Sequence, residues 1–319
     1  MLTSVELCAG AGGQALGLEQ AGFHHTALVE IDKHCCATLR HNRPDWHVLE
    51  QDLRVFKDDA ARYRGMDLLA GGLPCPPFSV AGKQLGEADE RNLFNDAIDI
   101  IDAARPRAVM IENVRGFLDA VFHDYRERLK GQLTRLGYVT DWRLLNASDY
   151  GVPQLRPRVV IVAVERARAE HFDWPDPNPH NPATVGATLR DLMAADGWPG
   201  AAAWADKADE IAPTIVGGSK KHGGPDLGPT RARAAWATLG VEGRTLANAP
   251  PAPDHAGMPR LTVPMVARIQ GFPDDWHFTG AKTNAYRQVG NAFPPPVARA
   301  VSAQIARTLR KRVLRPVRA

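Results

Sequence analysis

The alternation of short apolar runs with stretches of helical periodicity over the first 165 residues is the strongest constraint on how this chain can fold. Strands are predicted at Leu2–Cys8, Thr26–Glu30, His47–Gln51, Met66–Ala70, Arg107–Glu112, Val139–Leu145 and Arg158–Val164. Between them, apolar residues recur at helical spacing in Gln14–Ala21, Lys33–His41, Asn92–Ala104 and Tyr125–Leu136. Such a βαβ series implies an α/β fold with a doubly wound, mostly parallel sheet. In such sheets ligands bind outside the carboxyl ends of the strands, so the residues that end each strand carry the functional information.

After Val164 the texture changes. Pro175, Pro177, Pro179 and Pro182 crowd one stretch, and Gly217, Gly218, Gly223, Gly224 and Gly228 crowd another. Neither can form a long regular element. The expected organisation is a catalytic and cofactor domain over 1–175, a smaller loop-rich domain over 176–282, and a helix over 283–319 that returns to the first domain. A formal charge of only +3 excludes a globally basic coat, so a polyanionic partner must meet a local patch. Four cysteines without a CxxC pair make a poor disulfide framework and point to a reducing compartment. No apolar run approaches the roughly 20 residues that span a bilayer. Met1–Gly10 carries Glu6 rather than a basic leader region, so a cytoplasmic, unprocessed, membrane-free protein is expected.

The glycine cluster at Gly10, Gly12 and Gly13 sits where the first strand turns into the first helix, and lets backbone approach a ligand closely. Glu30 ends the second strand 20 residues after Gly10, where doubly wound folds place a carboxylate for ribose hydroxyls. Asp52 is expected to end the third strand in the same way. These features describe an adenosine-sized crevice, and a nicotinamide-binding loop fits the glycine spacing nearly as well.

The fourth strand runs into Gly71-Gly72-Leu73-Pro74-Cys75-Pro76-Pro77, where flanking prolines restrict the backbone that presents one thiol. Cys35 and Cys36 read instead as small core hydrophobes. Glu112 emerges at the end of the fifth strand, one strand over from Cys75. A carboxylate there serves either chemistry or a cap or salt bridge. Arg156 and Arg158, two apart at the start of a strand, are expected on one face. They make either a surface patch or a positive field that lowers a thiol pKa.

Taken in order, these segments resemble the cytosine-C5 DNA methyltransferases of bacterial restriction and modification systems. The glycine turn Glu6–Gly13, Pro74-Cys75, Glu112-Asn113-Val114 and Gln154-x-Arg156-x-Arg158 each resemble a family motif. So do Gln270-Gly271-Phe272-Pro273 and Gln288-Val289-Gly290-Asn291-Ala292 near the end. The resemblance implies Cys75 as nucleophile, Glu112 as the group that binds the base and protonates its ring nitrogen, and Arg156 with Arg158 stabilising thiolate and base. It implies an S-adenosyl-L-methionine site lined by Cys8, Gly10, Gly12, Glu30, Ile31, Asp52, Leu53, Pro74 and Asn291, and no metal. Cys8 stands where the family commonly has Phe, and Pro76 where it often has Gln.

Double-stranded DNA is the implied partner, and a separate cognate restriction endonuclease would accompany it. A cytosine stacked in a duplex cannot be reached by a thiol, so it must be flipped out. The 176–282 region would supply the offsetting contacts. Within it, Thr214 begins a loop with Lys220 and Lys221 that can track phosphates, or else is an ordinary surface loop. Ser79 and Arg91 are further phosphate candidates. An RNA cytosine-C5 enzyme of the same chemistry and a nicotinamide-dependent oxidoreductase are the alternatives, and a monomer is the expected state.

Overall fold

A computed structural model describes residues 1–74, 93–178, 183–218 and 224–311. Its centre is one seven-stranded sheet in the order β3-β2-β1-β4-β5-β7-β6. The strands are β1 (Leu2–Leu7), β2 (Phe23–Glu30), β3 (Val48–Glu50), β4 (Leu68–Gly72), β5 (Ala108–Val114), β6 (Tyr138–Asn146) and β7 (Pro157–Glu165). The first five pair in parallel, whereas β7 runs antiparallel to both β5 and β6. Every predicted strand is present, with ends shifted by a few residues. Runs such as Val159-Val160-Ile161-Val162-Ala163-Val164 are apolar on both faces because both faces are covered.

Helices α1 (Gly13–Gln20), α2 (Lys33–Asn42), α3 (Leu53–Asp59), α4 (Phe94–Ala104) and α5 (His123–Arg135) connect these strands. The core on one face gathers Leu69, Ile101, Ile111 and Phe117, and that on the other Leu68, Met110, Val162 and Val301. Toward the carboxyl terminus come α10 (Lys282–Asn291) and α11 (Pro295–Arg310). The expected single returning helix is therefore two, broken where Pro294, Pro295 and Pro296 follow each other and remove consecutive backbone donors. The second helix lies close against α1. A Cβ at Gly17 would sit 2.5 Å from the Ala298 Cβ and 2.7 Å from the Pro295 carbonyl oxygen, so only glycine permits this approach.

The region predicted to be loop-rich holds four helices among its described residues: α6 (Val185–Ala194), α7 (Ala201–Lys207), α8 (Thr230–Thr238) and α9 (Val263–Ile269). Proline and glycine cluster between these helices, not within them, and alanine-rich stretches at 201–205 and 232–237 favour helix. Its core, built on Trp204, Trp236, Ile215 and Val266, continues into Leu16, Tyr286 and Val289. The smaller lobe therefore shares packing with α1 and α10.

Two further readings are revised. Asp52 does not end β3. It is the N-cap of α3, its carboxylate accepting from the Arg54 amide at 2.8 Å. Arg156 precedes β7, which starts at Pro157, so the strand alternation expected of Arg156 and Arg158 does not govern both. No helix among the described residues is long and apolar enough to cross a membrane.

Buried His25 ties β2 to its neighbours. The Ala15 carbonyl can only accept, so Nε2 donates to it at 2.9 Å, and Nδ1 takes the Ser4 hydroxyl proton at 2.9 Å. Burial, the dominant cause, lowers its pKa to about 4. Below the unfolded value of about 6.5 the unfolded chain gains a proton that the folded chain refuses. The stability tied to neutral His25 is thus full above about pH 6.5 and is lost as pH falls toward 4, amounting to about 3 kcal/mol. Urea unfolding of His25→Gln should show a flatter pH dependence than the parent chain across that window. Identical slopes would refute the assignment.

Candidate functional site

The carboxyl ends of β1, β2, β4 and β5 open onto two adjoining cavities of about 390 and 610 Å³. Cys8, Gly10, Gly72 and Asn291 line both, so the two are halves of one crevice. Directly after β1 the backbone takes left-handed conformations at Cys8 (φ 53°), Gly10 (φ 55°) and Gly12 (φ 89°). Non-glycine residues adopt this region rarely, and such backbone concentrates at functional sites. The Cys8 thiol is pushed up by burial and then by the nearby carboxylates of Glu30, Asp52 and Glu6, so it is protonated.

Glu30 closes the turn. Its Oε2 accepts from the Gly10 amide at 2.7 Å, and its Oε1 from the amides of Ile31 at 2.8 Å and Asp32 at 2.7 Å. Burial raises its pKa while these three donors oppose the rise. The carboxylate is thereby fixed in orientation, and its oxygens retain lone pairs for a ligand. Ile31, 64 % exposed, presents an apolar face to the larger cavity, beside Asp52, Leu53 and Pro74. Gly12 is not among the residues lining either cavity; it shapes the turn as the residue before α1.

Two side chains that the sequence reading gave no role also line the smaller cavity: Glu6 and Gln14. Both are buried, and Glu6 Oε2 and Gln14 Oε1 have no hydrogen-bond partner among the described residues. The Glu6 carboxyl is raised well above the usual range by burial and then by Glu30. Unsatisfied buried acceptors are uncommon in native proteins, and here they face a space a ligand can fill. An acid within an apolar strand was the available signal for Glu6.

On the far wall, Glu112 lies one strand over from Gly72, paired with it in register across β4 and β5. Glu112 is 8 % exposed, and its Oε1 is 2.8 Å from Arg158 Nε. Burial raises its pKa; the positive charges of Arg158 and then Arg156 oppose this. Burial thus outweighs the two arginines, and the Glu112 carboxyl holds its proton more readily than an exposed glutamate does.

Arg156, 1 % exposed, reaches away from that pair. It donates to the carbonyls of Ile215 at 2.7 Å, Gly290 at 2.8 Å and Ala292 at 3.0 Å. Gln154 and Gln270, both fully buried, complete the node. Gln154 Nε2 donates to Gln270 Oε1 at 2.7 Å, and Gln154 Oε1 accepts from the Ile215 amide at 2.8 Å. The Thr214 hydroxyl donates to the Leu155 carbonyl. Arg156 thus contributes charge toward Glu112 while donating to three carbonyls and to Gln154 Oε1, whereas Arg158 pairs with the Glu112 carboxylate and donates to the Pro157 carbonyl.

Cys75, Ser79, Arg91, Lys220 and Lys221 lie outside the described residues. Among the described residues no group of three or more His, Cys, Asp or Glu is arranged to hold a metal.

The family model for C-5 cytosine-specific DNA methylase matches residues 2–307. The type II methyltransferase M.NaeI of Lentzea aerocolonigenes is 55 % identical over 318 residues, covering 97 % of this chain and 75 % of that protein. M.NgoMIV of Neisseria gonorrhoeae, also a type II methyltransferase, is 53 % identical over 97 % of this chain and 98 % of its own length. Among solved structures, a DNMT2 mutant of Spodoptera frugiperda superposes with a TM-score of 0.63 at 18 % identity, covering 98 % of this chain and 100 % of its own.

The Glu112–Arg158 pair makes a direct prediction. Replacing the cation in Arg158→Met removes the largest charge opposing burial, so the Glu112 carboxyl should titrate at higher pH. Carbon-13 NMR of the glutamate side-chain carboxyl reads this midpoint, and an unchanged or lower midpoint would contradict the pairing.

Proposed function

The chain belongs to the C-5 cytosine-specific DNA methylases, and from that premise we propose that it methylates a cytosine swung out of duplex DNA, with Cys75 as nucleophile and Glu112 as proton donor. The observation that carries this reading is the buried Glu112–Arg158 pair, on the wall of a crevice whose other wall is the glycine turn and Glu30. A nicotinamide reading accounts for the turn and leaves that pair without a purpose.

S-adenosyl-L-methionine fits the residues present. Its adenosine needs an apolar face, hydroxyl acceptors and close backbone, which Ile31, Glu30 and Gly10 provide. The unsatisfied acceptors of Glu6 and Gln14 suit its ammonium donors. Cys8, Asp52, Leu53, Pro74 and Asn291 would complete the wall, with Gly12 holding the turn. When bound, the cofactor supplies an electrophilic sulfonium methyl group.

The protein's part of the chemistry follows from what cytosine lacks. C5 is a weak nucleophile, so electrons must first enter the ring. The Cys75 thiolate forms a bond to C6, and Glu112 delivers a proton to N3, cancelling the charge that the addition places on the ring. Addition moves the C5–C6 π pair into a C4–C5 enamine and so makes C5 electron-rich; the bound cofactor would supply the methyl group there, its methyl–sulfur bond breaking to leave a neutral thioether. Loss of the C5 proton to a base restores the double bond as the sulfur–C6 bond breaks, and the thiolate leaves. Arg158 holds the Glu112 carboxyl in place through these steps, and Arg156 adds positive field.

Base flipping costs a few kcal/mol, about the worth of several phosphate contacts. We assign these to the 176–282 lobe, through Thr214, Lys220 and Lys221, with Ser79 and Arg91 contributing from the catalytic domain. The catalytic domain would be 1–175 and 283–319 its returning segment. Because the named relatives are type II methyltransferases, a protective role beside a separate restriction endonuclease is the biological setting we favour.

Bisulfite sequencing of plasmid from cells expressing the chain should reveal one methylated duplex sequence context. In vitro, Glu112→Gln should lower kcat by about 10²–10⁴-fold with little change in KM for DNA, as loss of a general acid does. Methylation of transfer RNA but not duplex DNA, or an unchanged kcat, would overturn the proposal.

A further inference from the structure

The sheet ends in an open edge. β6 is its outermost strand, bound to β7 on one side and to no strand on the other among the described residues. Its register shows which backbone groups face outward. Arg166 N donates to the Gly137 carbonyl at 3.0 Å and Ala147 N to the Arg156 carbonyl at 3.2 Å, one at each end of the β6–β7 ladder. Hydrogen-bonded pairs alternate along an antiparallel ladder. Val139, Asp141, Arg143 and Leu145 therefore turn their backbone groups toward β7, whereas Thr140, Trp142, Leu144 and Asn146 turn theirs away. In agreement, the Trp142 amide donates to the side chain of its own neighbour, Asp141 Oδ1, at 2.9 Å. Long open edges are usually blunted by proline, by a bulge or by charges that repel a second strand. β6 runs nine residues without a proline or a shift of register, and Leu144 is 41 % exposed.

The charges on this edge are matched to a second copy of themselves. Asp141 and Arg143 are exposed, lie on one face of the strand and flank Trp142. Neither makes an ion pair among the described residues. Trp174 fixes both, since its Nε1 donates to Asp141 Oδ2 at 2.7 Å and the Arg143 guanidinium sits 5.5 Å over its ring. Two β6 strands laid antiparallel with Trp142 opposite itself place Asp141 of each against Arg143 of the other. The same register brings the outward groups of Thr140 and Leu144 into hydrogen-bonding pairs. We propose that β6 is a homodimerisation edge, on which a second copy of this chain adds its own β6 antiparallel about Trp142. An unrelated strand can use the same main-chain groups, but opposite charges disposed symmetrically about one residue fit a copy of the strand itself. The contact is isologous and closes at two copies. Antiparallel addition sets the carboxyl edge of one sheet beside the amino edge of the other, so the two crevices face opposite ways and stay open. A monomer is what the sequence alone suggests; the edge position of β6 follows from sheet order, which no local pattern carries.

Sedimentation velocity of the full chain tests this. One strand edge makes a small, weak interface, so monomer at about 1 µM should shift to dimer by about 100 µM. A single monomer boundary at every concentration would overturn the proposal. Arg143→Asp sets aspartate against aspartate at both ends of the contact and should weaken dimerisation about tenfold or more. Adding Asp141→Arg exchanges the two signs and should return association to within about threefold of the parent. Leu144→Pro removes an outward amide without touching the ladder to β7, and should weaken association as much as Arg143→Asp does. Thermal melts followed by circular dichroism check that each variant folds. Under mild oxidation Trp142→Cys should form an intermolecular disulfide, because its two copies meet with Cα atoms about 5.5 Å apart. Val139→Cys, which faces Leu145 of the other copy, should not. Undiminished dimer in folded Arg143→Asp or Leu144→Pro, or no more cross-linking in Trp142→Cys than in Val139→Cys, would contradict the proposal.

Discussion

One buried guanidinium holds the crevice together. Arg156 comes from the entry to β7, yet the carbonyls it satisfies belong to the smaller lobe at Ile215 and to the α10–α11 junction at Gly290 and Ala292. Ile215 lies in irregular chain, Gly290 in the last turn of α10 and Ala292 just after it, where carbonyls lack the next turn's amides. A buried carbonyl left unpaired costs about 1–3 kcal/mol, and a buried arginine left unpaired more. The three segments therefore meet at one place or leave several groups unsatisfied at once. Parallel strands bring the turn, Glu30 and Glu112 to one edge of the sheet. The node around Arg156 places the opposite wall across from them.

Charge within the crevice is organised by the same economy of partners. Acids at Glu6, Glu30 and Glu112 are all buried and all shifted upward by it, but each meets a different counterforce. Glu30 has three backbone donors and becomes a fixed acceptor. Glu112 has two arginines near it, whose charge opposes the rise that burial imposes. Glu6 has an oxygen without a partner among the described residues, on the lining of the smaller cavity. Three carboxyl groups on three strands of one sheet are thereby given distinct surroundings.

Much of this was legible in the sequence. Strands whose apolar runs are buried on both faces stand out, as does a glycine turn followed 20 residues later by an acid, and the family resemblance is matched by the family model over residues 2–307. What escaped was long-range. Gln154 and Gln270 are 116 residues apart, and no local pattern announces that their amides meet. The divergence of Arg156 from Arg158 depends on β7 starting at Pro157, a boundary one residue from the predicted one. Asp52 proved to be a helix cap because an aspartate before an apolar helix start satisfies the free amides, a role as common as ending a strand. The helices of the smaller lobe were obscured by proline and glycine counts taken over the whole stretch.

The account turns on covalent chemistry at one residue. A duplex bearing 5-fluorocytosine in the methylated context lacks the C5 proton whose departure, in the proposed mechanism, would release the enzyme. Incubated with the full chain and S-adenosyl-L-methionine, it should accumulate a denaturation-resistant complex. Mass spectrometry of its peptides should place one methylated fluoropyrimidine on Cys75. Failure to trap the complex with an otherwise active preparation, or a cross-link mapping to Cys8, Cys35 or Cys36, would contradict the account.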